Sequence, residues 1–325
     1  MERLISTLPK GELHVHLNGL VAPQLIQELL GNSEVTVPDG FDLSKDLTRN
    51  KPAKNLAEYF KPWQVLRLVP QSRAALRKIV FNAFESLRKQ NTSFVELRNS
   101  VIYISRLNGI GVDEALHWLI QEIESASEHF TITSGLIMTV SRGDHSCEDL
   151  RTLLKAYTEL GRPKTVIGLD LAGNEDIGSP SDLADLFRRA RDIFDLKITI
   201  HAGETGKVEN IVDAIRNYGA DRIGHGTAAG DSLETMELLR ESDVCVEVCP
   251  ISNRLTGALS EEESHPLVEF IKHDVPFVVC SDNPCLHNSS LNDDYLEFYR
   301  EANRRDLLDG MYDTQKNYTF LRGLT

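Results

Sequence analysis

Short stretches in which apolar and polar residues alternate recur along the chain, separated by longer ones in which apolar residues return every three or four positions. Alternation with period two marks strands, and a period near 3.6 marks helices. Strands are predicted to begin at Glu12, Phe94, Thr133, Val166, Lys197, Arg222, Val244 and Pro276. Helical patterns cover Gln24–Leu30, Leu56–Val69, Ser72–Arg88, Val112–Phe130, Cys147–Leu160, Ser181–Phe194, Val208–Tyr218, Ser232–Glu241 and Pro266–His273. The tail from Asn292 to Thr325 reads as helix with no strand. Strand–helix alternation implies parallel strands joined by right-handed crossovers. Eight such units predict an α/β fold, a (β/α)8 TIM barrel, with residues 1–325 as one domain. The interval from residue 12 to residue 94 is more than twice any other. Its surplus, residues 24–91, is predicted to be extra helices inserted after strand one. They would form a lid, with Tyr59, Phe60 and Trp63 packed over the barrel mouth.

Composition narrows the partners more than the chemistry. The chain has 325 residues, 41% hydrophobic and 26% charged, which suits a globular protein with ample core. A net charge of −14 disfavours nucleic-acid backbones and anionic membranes as partners, and leaves a small molecule open. The segment Met1–Ile5 lacks the apolar run of a signal peptide, and no stretch has the apolar length of a spanning helix. The five cysteines (Cys147, Cys245, Cys249, Cys280 and Cys285) are an odd number and read as reduced, buried thiols. Together these features predict a cytoplasmic protein; the oligomeric state stays open.

In an α/β barrel the chemistry sits where strands end and the following loops begin. Leu13, Val15 and Leu17 alternate with His14 and His16, so the two imidazoles project from one face of the first strand. The fourth predicted strand carries Asp170 and runs into Gly173-Asn174-Glu175, and the fifth runs into His201-Ala202-Gly203-Glu204. The sixth ends in Gly224-His225-Gly226, the seventh in Cys249-Pro250-Ile251-Ser252-Asn253 and the eighth in Ser281-Asp282-Asn283-Pro284. Four of the ten histidines fall at these ends; His117, His129, His145, His265, His273 and His287 do not. A single zinc ion takes neutral imidazoles and carboxylates and keeps a position open for water. His14, His16 and His201 would supply three nitrogens. Asp282 joins them once the last strand closes against the first. Bound zinc lowers the pKa of its water to about 7, and the reaction then needs a proton for the leaving side. Glu204, three residues after His201, is suited to deliver it, and His225 to orient or deprotonate the water.

The segment Leu8-Pro9-Lys10-Gly11-Glu12-Leu13-His14-Val15-His16-Leu17-Asn18-Gly19 resembles a motif of the adenosine deaminase family. So do His201-Ala202-Gly203-Glu204, Arg222-Ile223-Gly224-His225-Gly226 and Ser281-Asp282-Asn283-Pro284. Leu169-Asp170-Leu171-Ala172-Gly173 and Cys249-Pro250-Ile251-Ser252-Asn253 are similar to further blocks, and the resemblance runs in order along the chain. It implies a barrel with one Zn²⁺ per chain that removes the 6-amino group of a purine hydrolytically, releasing ammonia. His14, His16, His201 and Asp282 then resemble the zinc ligands. Glu204, His225 and Asp282 resemble the catalytic set, with Glu204 protonating purine N1. His16, Asn18, Gly173 and Asn283 resemble the substrate contacts, Gly173 through its backbone N–H to purine N3.

The chain departs from the family where Asn18, Asn174 and Asn283 replace the commoner aspartate. An asparagine at 283 can still donate to purine N7. The neutral Asn18 is similar to the branch acting on N6-substituted AMP, but Ala202-Gly203 does not follow that branch. The expected substrate is therefore adenosine or deoxyadenosine, giving inosine, with adenine or N6-substituted AMP as alternatives and a non-catalytic metal-binding barrel as a remote one. Two other classes fit poorly. Predicted strand four has no lysine to bridge two metals, and Pro284-Cys285 lacks the second cysteine of the small cytidine-type zinc deaminases.

Overall fold

A computed structural model describes residues 1–31, 35–260 and 262–324; residues 32–34 of the predicted lid and Thr325 of the predicted tail lie outside the described residues. Eight strands form one parallel sheet in sequence order: β1 (Lys10–His16), β2 (Thr92–Asn99), β3 (Thr133–Ser141), β4 (Val166–Ala172), β5 (Lys197–Ala202), β6 (Arg222–His225), β7 (Cys245–Val248) and β8 (Phe277–Val279). The sheet closes just past β8. Val15 bridges Asp282 in parallel, with His16 N–H donating to the Asp282 carbonyl and Asp282 N–H to the His14 carbonyl, both at 2.9 Å. The predicted (β/α)8 barrel is therefore present, and its closing seam joins the segments that carry His14, His16 and Asp282.

Helices cover the outside of the barrel because each carries a buried apolar stripe. In Arg73–Lys89 that stripe is Leu76, Ile79, Val80, Ala83, Phe84 and Leu87, and it packs against the helix Val112–Phe130. Three helical expectations change. Leu56–Val69 is two single turns, Leu56–Tyr59 and Trp63–Leu66, because Pro62 cannot continue a helix through its missing N–H. Val208–Tyr218 widens from α to π geometry at Ala214. A helix at Val101–Asn108 follows β2, where the run Val101-Ile102-Tyr103-Ile104 masks the helical period. The tail forms Leu291–Ala302 and Arg305–Tyr318, the second of which packs on β1 and β8. Among the described residues no helix is long and apolar enough to cross a membrane.

The barrel interior is not purely apolar. Glu96, Arg222, Glu247, Arg98 and Asp170 are all buried and form a continuous line of alternating charge. At its lower end Glu96 also accepts from the Thr319 hydroxyl and the Phe320 N–H, so the tail is fastened to the barrel floor. Buried charge is tolerated only when paired and hydrogen-bonded, and here each guanidinium lies between two carboxylates.

Candidate active site

His14, His16, His201 and Asp282 meet at the C-terminal end of the barrel, with one ligand-type atom from each within 4.8 Å of the others. His16 Nε2 lies 3.3 Å from His201 Nε2 and 3.5 Å from Asp282 Oδ1, and His14 Nε2 lies 3.6 Å from the same oxygen. Two rings are turned by carboxylates behind them. His14 Nδ1 donates to Glu247 at 2.7 Å and His201 Nδ1 donates to Asp170 at 2.9 Å. With the proton held at Nδ1, both rings present the Nε2 lone pair to the cluster. Burial pushes the pKa of His16 down to about 4 and that of His201 to about 3, so both are neutral at pH 7. His14 Nε2 is fully buried and has no hydrogen-bond partner. Three imidazoles, one carboxylate and an orphaned nitrogen aimed at the group fit a divalent cation such as Zn²⁺.

The local backbone explains the glycines of the sequence motifs. A Cβ at Gly224 would come within 2.9 Å of the His14 ring, and one at Gly19 within 2.7 Å of the Asn283 Cα. Asp282 and His225 themselves adopt left-handed backbone, at φ 59° and 66°, which side-chain-bearing residues rarely do. The chain turns sharply at these two strand ends, which directs both side chains inward.

Glu204 stands opposite the cluster, with its carboxylate 3.6 Å from His225 Nε2. Its loop is fixed by Glu175, which accepts from the N–H groups of Gly203 at 2.9 Å and Glu204 at 2.7 Å and from the Asn210 amide. Burial, with the charges of Glu175 and Asp282 adding to it, pushes the Glu204 carboxyl well above the usual carboxylate range. A carboxyl raised in this way holds its proton more tightly than an exposed one and is suited to donate it. His225 Nδ1 pairs with the Asn253 amide at 2.9 Å.

His16, His201, Asp282, Glu204 and His225 line one end of a cavity of about 470 Å³ that is also bounded by Asn18, Tyr59, Phe60, Trp63, Gly173 and Asn283. Tyr59, Phe60 and Trp63 of the inserted segment form part of its wall. Tyr59 reaches furthest, with its hydroxyl 2.7 Å from His287 Nε2 and 3.4 Å from Asp282 Oδ2, and it accepts from the Asn283 amide. Ser252 donates to the same Asp282 oxygen at 2.6 Å. Asn18 lies on the cavity wall, but its NH₂ donates to the Leu66 carbonyl of the inserted segment. An aspartate could not make that bond. Gly173 borders the cavity with φ 100°, and Asn174 accepts from the Asp176 N–H. Arg98 is held by Glu247 and Asp170, and Arg142 donates to the His201 carbonyl, so both brace the site.

Sequence reasoning finds the cluster but not its supports. The supporting roles of Glu247, Glu175, Asn253, Ser252, His265, His287 and Asp170 emerge only in three dimensions. The one legible signal is a charged residue inside an apolar strand, as Glu247 is within Val244–Val248, since such a charge needs a partner.

Comparison with known proteins gives the same direction. The family model for adenosine deaminase matches residues 9–307. An adenosine deaminase of Vibrio vulnificus is 29% identical over 296 residues, covering 88% of this chain and 86% of its own. Two solved structures share the fold. The Arabidopsis N6-mAMP deaminase superposes with a TM-score of 0.84 at 24% identity, over 98% of this chain and 96% of its own. An amidohydrolase of Burkholderia ambifaria with bound Zn superposes with a TM-score of 0.86 at 21% identity, over 98% of this chain and 88% of its own. The chain belongs to the adenosine deaminase family, hydrolytic enzymes acting on carbon–nitrogen bonds.

Proposed function

We propose that the protein deaminates a 6-aminopurine nucleoside, adenosine first, to the 6-oxopurine nucleoside and ammonia, using one Zn²⁺ held by His14, His16, His201 and Asp282. The observation that carries this reading is the convergence of those four side chains beside a cavity lined by Glu204, whose carboxyl burial pushes well above the usual range, and by Tyr59, Phe60 and Trp63. Bound there, the ion supplies Lewis-acid activation of water. The remaining work falls to the chain. Glu204 gives its proton to purine N1, which makes C6 electrophilic, since a neutral aromatic amidine carbon resists attack. His225 holds the attacking oxygen. Gly173 and Asn283 contact the purine, with His16 and Asn18 bordering the substrate. Tyr59, Phe60 and Trp63 exclude bulk water, which strengthens the charge interactions inside. The zinc bound to the Burkholderia neighbour supports the choice of metal.

One observation favours a second reading, a 5′-monophosphate substrate. Arg67 borders the cavity on the inserted segment and no acidic partner for it is found among the described residues, while Asn18 adds no negative charge to repel a phosphate. Ammonia release from adenosine, deoxyadenosine, adenine, AMP and N6-methyl-AMP, in the native protein and in Arg67→Gln, separates the two. Adenosine should give the highest kcat/KM, little altered by the substitution. A native preference for a nucleotide that Arg67→Gln removes would replace the first reading by the second.

A further inference from the structure

Behind His225 lies a pair of residues that contacts neither the four-residue cluster nor the cavity. His265 is 1% exposed, and its Nδ1 accepts a hydrogen bond from the Leu267 N–H at 3.1 Å. A backbone N–H can only donate. A neutral imidazole has one acceptor and one donor nitrogen, so the His265 proton sits on Nε2. Burial keeps the ring neutral, with a pKa near 3. That Nε2–H faces the Asn253 amide across 3.0 Å, and the other end of the amide faces His225 Nδ1 across 2.9 Å. With the amide nitrogen toward His265, two N–H groups would confront each other. Oxygen and nitrogen of an amide are nearly isosteric, so a half-turn of Asn253 relieves the conflict at no steric cost. The carbonyl then accepts from His265, and the NH₂ donates to His225 Nδ1.

We infer that Asn253 and His265 are positioning residues that fix His225 as its Nε2–H tautomer. The chain of donors starts at the Leu267 amide and ends in the cavity, each member setting the polarity of the next. His225 then presents an N–H toward the cavity and Glu204, and its lone pair points away, into Asn253. It can hold an oxygen there by donation, but it cannot take a proton from that side. The catalytic meaning of this arrangement rests on the deaminase reading above; the tautomer itself does not.

The test reads the tautomer directly. In protein labelled with ¹⁵N-histidine, long-range ¹H–¹⁵N correlation spectra, with His225 assigned by its loss in His225→Gln, should show a pyrrole-type Nε2 and a pyridine-type Nδ1. The reverse pattern, or an averaged one, overturns the inference whether or not any purine is deaminated. Asn253→Asp provides the functional arm. The carboxylate is close in size but only accepts, so it satisfies His265 and draws the His225 proton to Nδ1. Supporting outcomes are a reversed His225 pattern and a fall in kcat of about 10–100-fold, typical for groups orienting an active-site ligand, with KM little changed. A near-native kcat with an unaltered His225 pattern would mean that the pair only packs. If the variant does not fold, the native spectrum alone decides.

Discussion

Replacing Glu247 by glutamine changes one oxygen to NH₂ at the point where the charge line of the barrel meets the four-residue cluster. Glu247 accepts four hydrogen bonds on two oxygens: Oε1 from Arg222 Nε at 2.7 Å and Thr199 at 3.0 Å, Oε2 from His14 Nδ1 at 2.7 Å and from Arg98. Glutamine can keep only one acceptor end. If its oxygen stays with Arg222 and Thr199, its NH₂ confronts Arg98 and His14. His14 can then pair only by accepting at Nδ1, which moves its proton to Nε2, the nitrogen aimed at Asp282 and the metal position. Two costs follow. Arg98 and Arg222 lose the carboxylate between them, and breaking a buried ion pair typically costs about 3–5 kcal/mol. Metal affinity should fall by at least the ~10–100-fold seen when a ligand's supporting carboxylate is lost. Urea unfolding of metal-free protein measures the first, and competition with a chelator of known affinity measures the second. Native stability and native metal affinity in Glu247→Gln would refute both the charge line and the tautomer argument for His14.

Further outcomes are expected. His14→Ala and His201→Ala should each lose the metal by elemental analysis; full occupancy in both would remove them from the ligand set. Glu204→Gln should keep metal and fold while kcat falls by ~10²–10⁴, the usual contribution of a general acid. Because the Glu204 carboxyl is held above the ordinary range, native kcat should fall on the alkaline side as that proton is lost, and a kcat that instead rose with pH would contradict the donor role. Hydrogen exchange over residues 56–70 should slow when a non-hydrolysable purine nucleoside saturates the protein, and unchanged exchange would count against closure by Tyr59, Phe60 and Trp63. Finally, His265 has a pKa near 3 in the fold against 6.5 when exposed, so the unfolded chain takes up a proton that the folded one refuses. Stability should therefore decline as pH falls from about 6.5 toward 3, by about 1.4 kcal/mol per unit for this ring, and the decline should be shallower in His265→Phe. Equal slopes would show that the ring protonates in place.

What the sequence discloses and what it hides divide along a physical line. All eight strands begin within two residues of their predicted starts, because period-two alternation is imposed by the two faces of a strand and is local. The four-residue cluster is legible for a similar reason: the ends of the strands face one site in any closed α/β barrel, so reading those positions gathers His14, His16, His201 and Asp282 without coordinates. The supports are not local. Glu247 and His14 are 233 residues apart, and Tyr59 and His287 are 228 apart. Asn18 shows the limit most clearly. Its chemistry as a neutral residue is plain from the sequence, but its bond to the Leu66 carbonyl depends on how the inserted segment folds back. The neutrality that suggests a phosphate also has a local reason, since an ionised aspartate could not donate to that carbonyl.

The charge line gives the cluster an electrostatic logic that neither feature has alone. Along the barrel interior the carboxylates of Glu96, Glu247 and Asp170 enclose the guanidiniums of Arg98 and Arg222, leaving one negative charge unbalanced. Asp282 adds a second at the upper end, where burial pushes the Glu204 carboxyl well above the usual range and that of Glu12 to about 7. Two uncompensated negative charges in a buried, low-dielectric region would cost several kcal/mol each. A divalent cation at the cluster would balance both. The carboxylates that orient His14 and His201 would thus also supply a field that attracts such an ion, with the arginines limiting its cost to the fold. This explains why the barrel keeps two buried arginines on its axis, where leucine or valine would pack more simply. Removing either guanidinium should weaken the fold and strengthen the hold on the metal, opposite signs that no purely structural role for Arg98 or Arg222 would produce.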